Sequence, residues 1–149
     1  MSGPESLLFF EKVFLLHDDD DIREAFEIRF EQRSGPFKQA EMLDNLLIAG
    51  YGERFYMFDT IRHVSLLALP MNWYFCHFYV EDNLIYVTDA SGMYCIDRTG
   101  TVRWRTPDLG IDGVIIKQFT PTQIEGSGEW DPPGGRKDFS LDKQTGQLL

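Results

Sequence analysis

From Arg54 onward the hydrophobic positions fall in short runs with polar breaks, and this spacing predicts strands. Arg54 to Phe58, Val64 to Leu69, Trp73 to Val80, Leu84 to Thr88, Met93 to Asp97 and Thr101 to Arg105 are apolar or alternating. Between them lie Thr60 to His63, Pro70-Met71-Asn72, Glu81-Asp82-Asn83, Asp89 to Gly92 and Arg98 to Gly100. Breaks this short suit antiparallel hairpins and leave no room for crossover helices. A further β run spans Val114 to Phe119 and another covers Gln123-Ile124-Glu125, followed by Gly126 to Gly135, which reads as a surface excursion because glycine and proline redirect the backbone. A last hairpin joins Asp138 to Asp142 with Gln147 to Leu149.

The first fifty residues read differently. Leu7 to Leu16 carries bulky apolar residues on both faces and fits strand or helix. In residues 20 to 33, Ile22, Phe26 and Phe30 follow a helical spacing, while Phe26, Ile28 and Phe30 alternate with Glu27, Arg29 and Glu31 as a half-buried strand would. The alternation favours a strand for the second half. Residues 37 to 49 predict a helix, with Pro36 at its start and Gly50 just past its end. The expectation is one domain over 1–149, mainly β, built from antiparallel blade-like hairpins with one or two N-terminal helices. It divides into a mixed N-terminal segment (1–50) and an antiparallel hairpin region (51–149).

A repeat underlies the β region: Tyr56-Met57-Phe58-Asp59, Tyr94-Cys95-Ile96-Asp97 and Phe139-Ser140-Leu141-Asp142. Small residues precede each copy, and Thr99-Gly100 and Thr145-Gly146 follow the last two. Repetition at roughly forty residues belongs to stacked or radial β architectures. The stretch Leu84 to Trp104, echoed by Phe139 to Gly146, resembles a blade of the quinoprotein type of β-propeller. Such a blade has a Gly-containing turn, Tyr-x-(Leu/Ile)-Asp, Thr-Gly and a strand ending in Trp. The resemblance implies that Asp97 and Asp142 accept hydrogen bonds from the following turn and that Trp104 packs one blade on the next. Blades of about 40 to 45 residues allow only about three in this length, too few for a closed ring. The quinone site of that family needs the whole ring, so no cofactor is expected. The arrangement of Ile111-Asp112-Gly113-Val114, Gly128 to Gly134 and the Leu141-Asp142 hairpin is similar to small bacterial proteins of the toxin-immunity type.

Composition narrows the function. The 149 residues are 43% hydrophobic and 14% aromatic, enough for a core, and 24 acidic against 14 basic side chains give a formal charge of -10. That balance disfavours nucleic acid and anionic membranes and favours a cationic protein partner. The N-terminus lacks a basic signal region, and the apolar run after it is broken by Glu11 and Lys12, so a cytoplasmic protein without a membrane span is expected. Cys76 and Cys95 sit in apolar runs as buried thiols. A disulfide between them requires neighbouring strands.

Candidate chemistry is sparse. Asp18, Asp19, Asp20 and Asp21 lack the staged ligands of a Ca²⁺ loop and read as a solvated turn or a helix cap. His17, His63, His77 and the cysteines lack zinc spacing, so no metal is expected. Glu125, Glu129 and Asp131 around Trp130 have the residue types of a glycosidase carboxylate pair beside a sugar-stacking ring, but on a loop poorly suited to positioning them. No nucleophile elbow or phosphate loop is present, and no catalytic residue is named. The sequence thus points to a non-enzymatic acidic binding domain, an immunity-type inhibitor of a basic toxin, contacting its partner through Asp18 to Asp21 and through Glu125, Glu129, Trp130 and Asp131. The alternative is a carbohydrate-active or carbohydrate-binding β module using the Glu125 to Asp131 loop. The oligomeric state is not fixed by the sequence.

Overall fold

A computed structural model describes residues 10–18, 21–30, 36–131 and 135–149, with the course of the backbone alone for the first two stretches. Asp19, Asp20 and residues 132–134 of the expected excursion lie outside the described residues. Strands β1 (Phe10–Asp18) and β2 (Asp21–Phe30) pair antiparallel as a ribbon, so the alternating period prevails over the helical one in residues 21–30.

The helix expected over 37–49 is instead a hairpin of β3 (Lys38–Leu43) and β4 (Leu46–Tyr51). Leu43 pairs with Leu46, leaving Asp44-Asn45 as a two-residue turn, with Asp44 at φ 55° in the left-handed region that Asp tolerates. The apolar run misleads because β4 is buried on both faces: Leu46 and Ile48 face one cluster, Leu47 and Ala49 another. Such a strand reads as a continuous hydrophobic block, which periodicity alone does not separate from a buried helix. The division at residue 50 therefore falls inside a sheet.

Three open antiparallel sheets follow, each a meander. The first is β3-β4-β5-β6, adding β5 (Arg54–Asp59) and β6 (Val64–Pro70); the second is β7 (Phe75–Glu81), β8 (Leu84–Asp89), β9 (Met93–Asp97) and β10 (Val102–Thr106). The third is β11 (Val114–Phe119), β12 (Gln123–Glu129) and β13 (Arg136–Asp142), with Leu148 bridging back to Leu141. Among the described residues no helix occurs and no sheet closes into a barrel. Residues 126–129, expected in the excursion, continue β12. Gly128 is there because a Cβ would lie 1.7 Å from the Leu109 carbonyl oxygen; its glycine admits a crossing backbone and does not end the strand.

The repeat has a structural meaning: its copies are β5, β9 and β13, the third strand of each meander. Each aspartate caps the turn after its strand. Asp59 Oδ1 accepts from the amides of Ile61 and Arg62, Asp97 Oδ1 from Thr99 and Thr101, and Asp142 Oδ1 from Gln144 and Thr145. Amides of the following turn, those of Arg62 and Thr145 foremost, hold the Asp59 and Asp142 carboxyls below the usual range. At Asp97 partial burial works upward, but bonds from Thr99, Thr101 and Arg103 outweigh it. Gly100 and Gly146 close the turns at φ 85° and 71°.

The middle sheet is buried on both sides. Phe75, Phe78, Ile85, Val87 and Ile96 meet Ile48, Phe55 and Met57 of the first sheet, and Tyr86, Met93 and Cys95 meet Val114, Ile124 and Leu141 of the third. Trp104, expected to pack one blade on the next, is partly buried; it lies 6.0 Å from the Tyr86 ring and against Gly146 of the third sheet's last turn. Cys76 on β7 and Cys95 on β9 are separated by β8 and remain free thiols.

Side chains join the inner edges of the sheets. Gln39 on β3 donates from Nε2 to the Phe78 carbonyl and accepts the Phe78 amide at Oε1, both at 3.0 Å. It supplies the pair of bonds that a neighbouring strand would. On the other side the Ile116 amide of β11 donates to the Tyr79 hydroxyl at 3.2 Å. These contacts set β3, β7 and β11, the first strands of the three sheets, next to one another.

Candidate functional site

At the starting ends of β3, β7 and β11 the sheets leave a pocket of about 360 Å³. Pro36 and Phe37 enter from the head of β3, Tyr74 from just before β7, and Cys76 and His77 from β7. Asp112 to Ile115 lead into β11, while Glu129 ends β12 and Arg136 begins β13. Two connecting segments lead into the lining at Tyr74 and Asp112, each held by bonds donated from its backbone amides. In the first, the Met71 amide donates to the Glu53 carbonyl, and the Asn72 amide donates to Oδ2 of the buried Asp89. In the second, the Leu109, Ile111 and Gly113 amides donate to the carbonyls of Ser91, Glu129 and Ala90.

Trp73 projects from the first segment at 74% exposure with φ 69°, a left-handed conformation that bulky residues rarely adopt. Ile111 projects from the second at 53% exposure, and Phe37 is exposed in the pocket lining, its ring 6.3 Å from Tyr74 and 5.1 Å from His77. Within the pocket the Tyr74 hydroxyl donates to Asp112 Oδ1 at 2.7 Å, and the Arg136 guanidinium lies 3.4 Å from Glu129 Oε2.

Burial governs the titration of the lining. It pushes the Cys76 thiol up to about 11, raises the Tyr74 phenol, which its bond to Asp112 raises further, and lowers the His77 imidazole. At neutral pH the pocket therefore holds a protonated thiol, a phenol committed as a donor and an uncharged imidazole. Its full charges are the Asp112 and Glu129 carboxylates and the Arg136 guanidinium. Such a lining offers carboxylate oxygens and aromatic faces, while the thiol lacks the ionisation that nucleophilic attack demands.

The structure separates the residues singled out from sequence. Asp18 and Asp21 sit at the paired ends of β1 and β2. Glu129 lines the pocket, with Trp130 and Asp131 next to it in the chain. Glu125 is four residues back along β12, about 13 Å at strand rise and beyond the spacing of a glycosidase pair, and it takes Gln118 Nε2 at 2.6 Å. Trp130 is half-buried with the Lys137 ammonium 5.1 Å from its ring centroid, so a cation already occupies its surface. Sequence reading missed Phe37, Trp73, Tyr74, Ile111 and Asp112. The available signals were a tryptophan directly after the Pro70-Met71-Asn72 break and an isoleucine between glycine and aspartate in a connecting segment.

Among the described residues no group of three His, Cys, Asp or Glu side chains is placed to hold a metal ion, and no helix is long and apolar enough to cross a membrane. No family model, curated protein or solved structure matches this chain.

Proposed function

We propose that the chain is a non-enzymatic acidic binding domain for a cationic protein partner, acting as an immunity-type inhibitor of a basic toxin. The observation that carries this reading is that Phe37, which lines a pocket bearing two carboxylates, and Trp73 and Ile111, each next in the chain to a lining residue, are all exposed; we read these three as the mouth of the pocket. Exposed aromatic anchors beside fixed charges are the usual makings of an interface hot spot. A strained, solvent-facing tryptophan costs stability without adding to the core, which points to a role outside it. The overall charge of -10 steers a basic partner to the surface and disfavours anionic ones.

The reading takes each meander as a blade of the quinoprotein type, supported by the aspartate-capped third strands and the tight Thr-Gly turns. It sets the protein in the cytoplasm, where its two unpaired thiols suit a reducing compartment. The aspartates Asp18 to Asp21 serve long-range steering, and the mouth supplies the contact.

The test is binding of a lysine- and arginine-rich peptide by biolayer interferometry at low and high salt, with wild type and Trp73→Ser. The expected result is an on-rate that falls with salt and an affinity lowered about 30-fold or more by Trp73→Ser, the size of a hot-spot loss. Binding indifferent to both changes overturns the reading. A neutral oligosaccharide bound in place of the peptide revives the carbohydrate alternative.

A further inference from the structure

Asp112 is a prepared acceptor. Tyr74 fixes its Oδ1 from one side, while Oδ2 makes no bond to any described residue. Behind it lie the buried Cys76 and Val114, and beside it the rings of Phe37, Tyr74 and His77. Glu129 adds a second carboxylate, which a guanidinium from the chain itself, that of Arg136, already approaches at 3.4 Å. Among the described residues the lining carries two carboxylates and one guanidinium, within a chain that is acidic overall.

Ligand classes sort against this lining. A phosphate or carboxylate group would meet the Asp112 carboxylate, whose Oδ2 has no donor among the described residues. A wholly apolar group would cover the open oxygen of Asp112 without a donor, a loss of about 1–3 kcal/mol or more for a charged group. A cation gains both a charge-assisted bond to the carboxylate and an aromatic face within reach. Ligand pockets run from about 300 to 1,000 Å³, so about 360 Å³ lies at the small end, suited to a single side chain.

We propose that the pocket is the receptor for one cationic side chain of the partner, an arginine or lysine, held by the Asp112 carboxylate beside the rings of Phe37 and Tyr74. This rests on reading the mouth as the binding surface and adds the element that selects what enters it. Trp73 and Ile111 cover the surface around the inserted residue. Tyr74 is a positioning residue, keeping the Asp112 carboxylate turned into the pocket.

The probes are Nα-acetylarginine methylamide and Nα-acetyllysine methylamide, with neutral Nα-acetylnorleucine methylamide as control, titrated into ¹⁵N-labelled protein. The expected result is that the cationic probes shift the amide signals of Tyr74, Asp112 and Gly113 and that norleucine does not. Asp112→Asn retains an acceptor for the Tyr74 hydroxyl, so the fold is kept while affinity falls about tenfold or more, the loss of a bond to a charged group. The difference between the arginine and lysine arms identifies the preferred side chain. Equal shifts with norleucine, or an affinity unchanged by Asp112→Asn, overturn the proposal. The lysine- and arginine-rich peptide separates the two levels. Peptide binding weakened by Trp73→Ser and untouched by Asp112→Asn removes the pocket and leaves the mouth, whereas binding untouched by either removes both.

Discussion

Gln39→Ala tests how the first two sheets are held in line. Gln39 is half-buried on β3, and its one amide group satisfies both backbone polar groups of Phe78, a residue only 2% exposed. Alanine leaves the Phe78 amide and carbonyl without partners. An orphaned buried polar group costs about 1–3 kcal/mol, and because the site is near enough to the surface for water to reach one of the two, the expected loss is about 2–4 kcal/mol. Gln39→Glu keeps an acceptor for the amide but none of the donors the carbonyl needs, so it should also destabilise. Urea unfolding reads the effect as a lower midpoint with an unchanged slope, since the surface exposed on unfolding is the same. β3 also delivers Phe37 to the pocket, so peptide affinity should fall even where the protein stays folded. A stability change below about 0.5 kcal/mol for Gln39→Ala would show that the seam does not depend on this side chain.

Trp104→Ala should lower stability by about 2–3 kcal/mol, less than the 3–5 of a fully buried aromatic because part of the residue stays exposed; denaturant melts of the variant check this. The lowered carboxyls of Asp59, Asp97 and Asp142 contribute stability above the unfolded aspartate value of about 3.9 and lose it as pH falls through their folded values. Thermal melts should therefore decline as pH drops below about 4, and Asp97→Asn should flatten part of that decline. His77, lowered by burial, adds an earlier loss as pH falls below about 6.5, absent in His77→Asn.

The β architecture was legible where the strands are short and their turns carry glycine, asparagine or aspartate. The repeat located the third strand of every sheet, and the turn chemistry of Asp97 and Asp142 followed from it. β4 escaped because burial on both faces erases the alternation that marks a strand. β12 was cut short because Gly126 and Gly128 look like loop residues, and the reason for Gly128 is a backbone contact with Leu109, distant in sequence. The pocket was illegible for the same reason. Phe37, Tyr74, Asp112 and Glu129 come from four separate elements, brought together only when the first strands of three sheets align. Glu129 was singled out for its carboxylate, but its neighbours there were sought along the chain and not across the sheets.

The most direct measurement is an amide chemical-shift map of the labelled protein saturated with the lysine- and arginine-rich peptide. Perturbations centred on Phe37, the Trp73 indole, Tyr74, Ile111 and Asp112, with the outer strands β6 and β10 unchanged, are the predicted result. Perturbations spread evenly over the acidic surface, or centred away from the starting ends of β3, β7 and β11, would contradict the account.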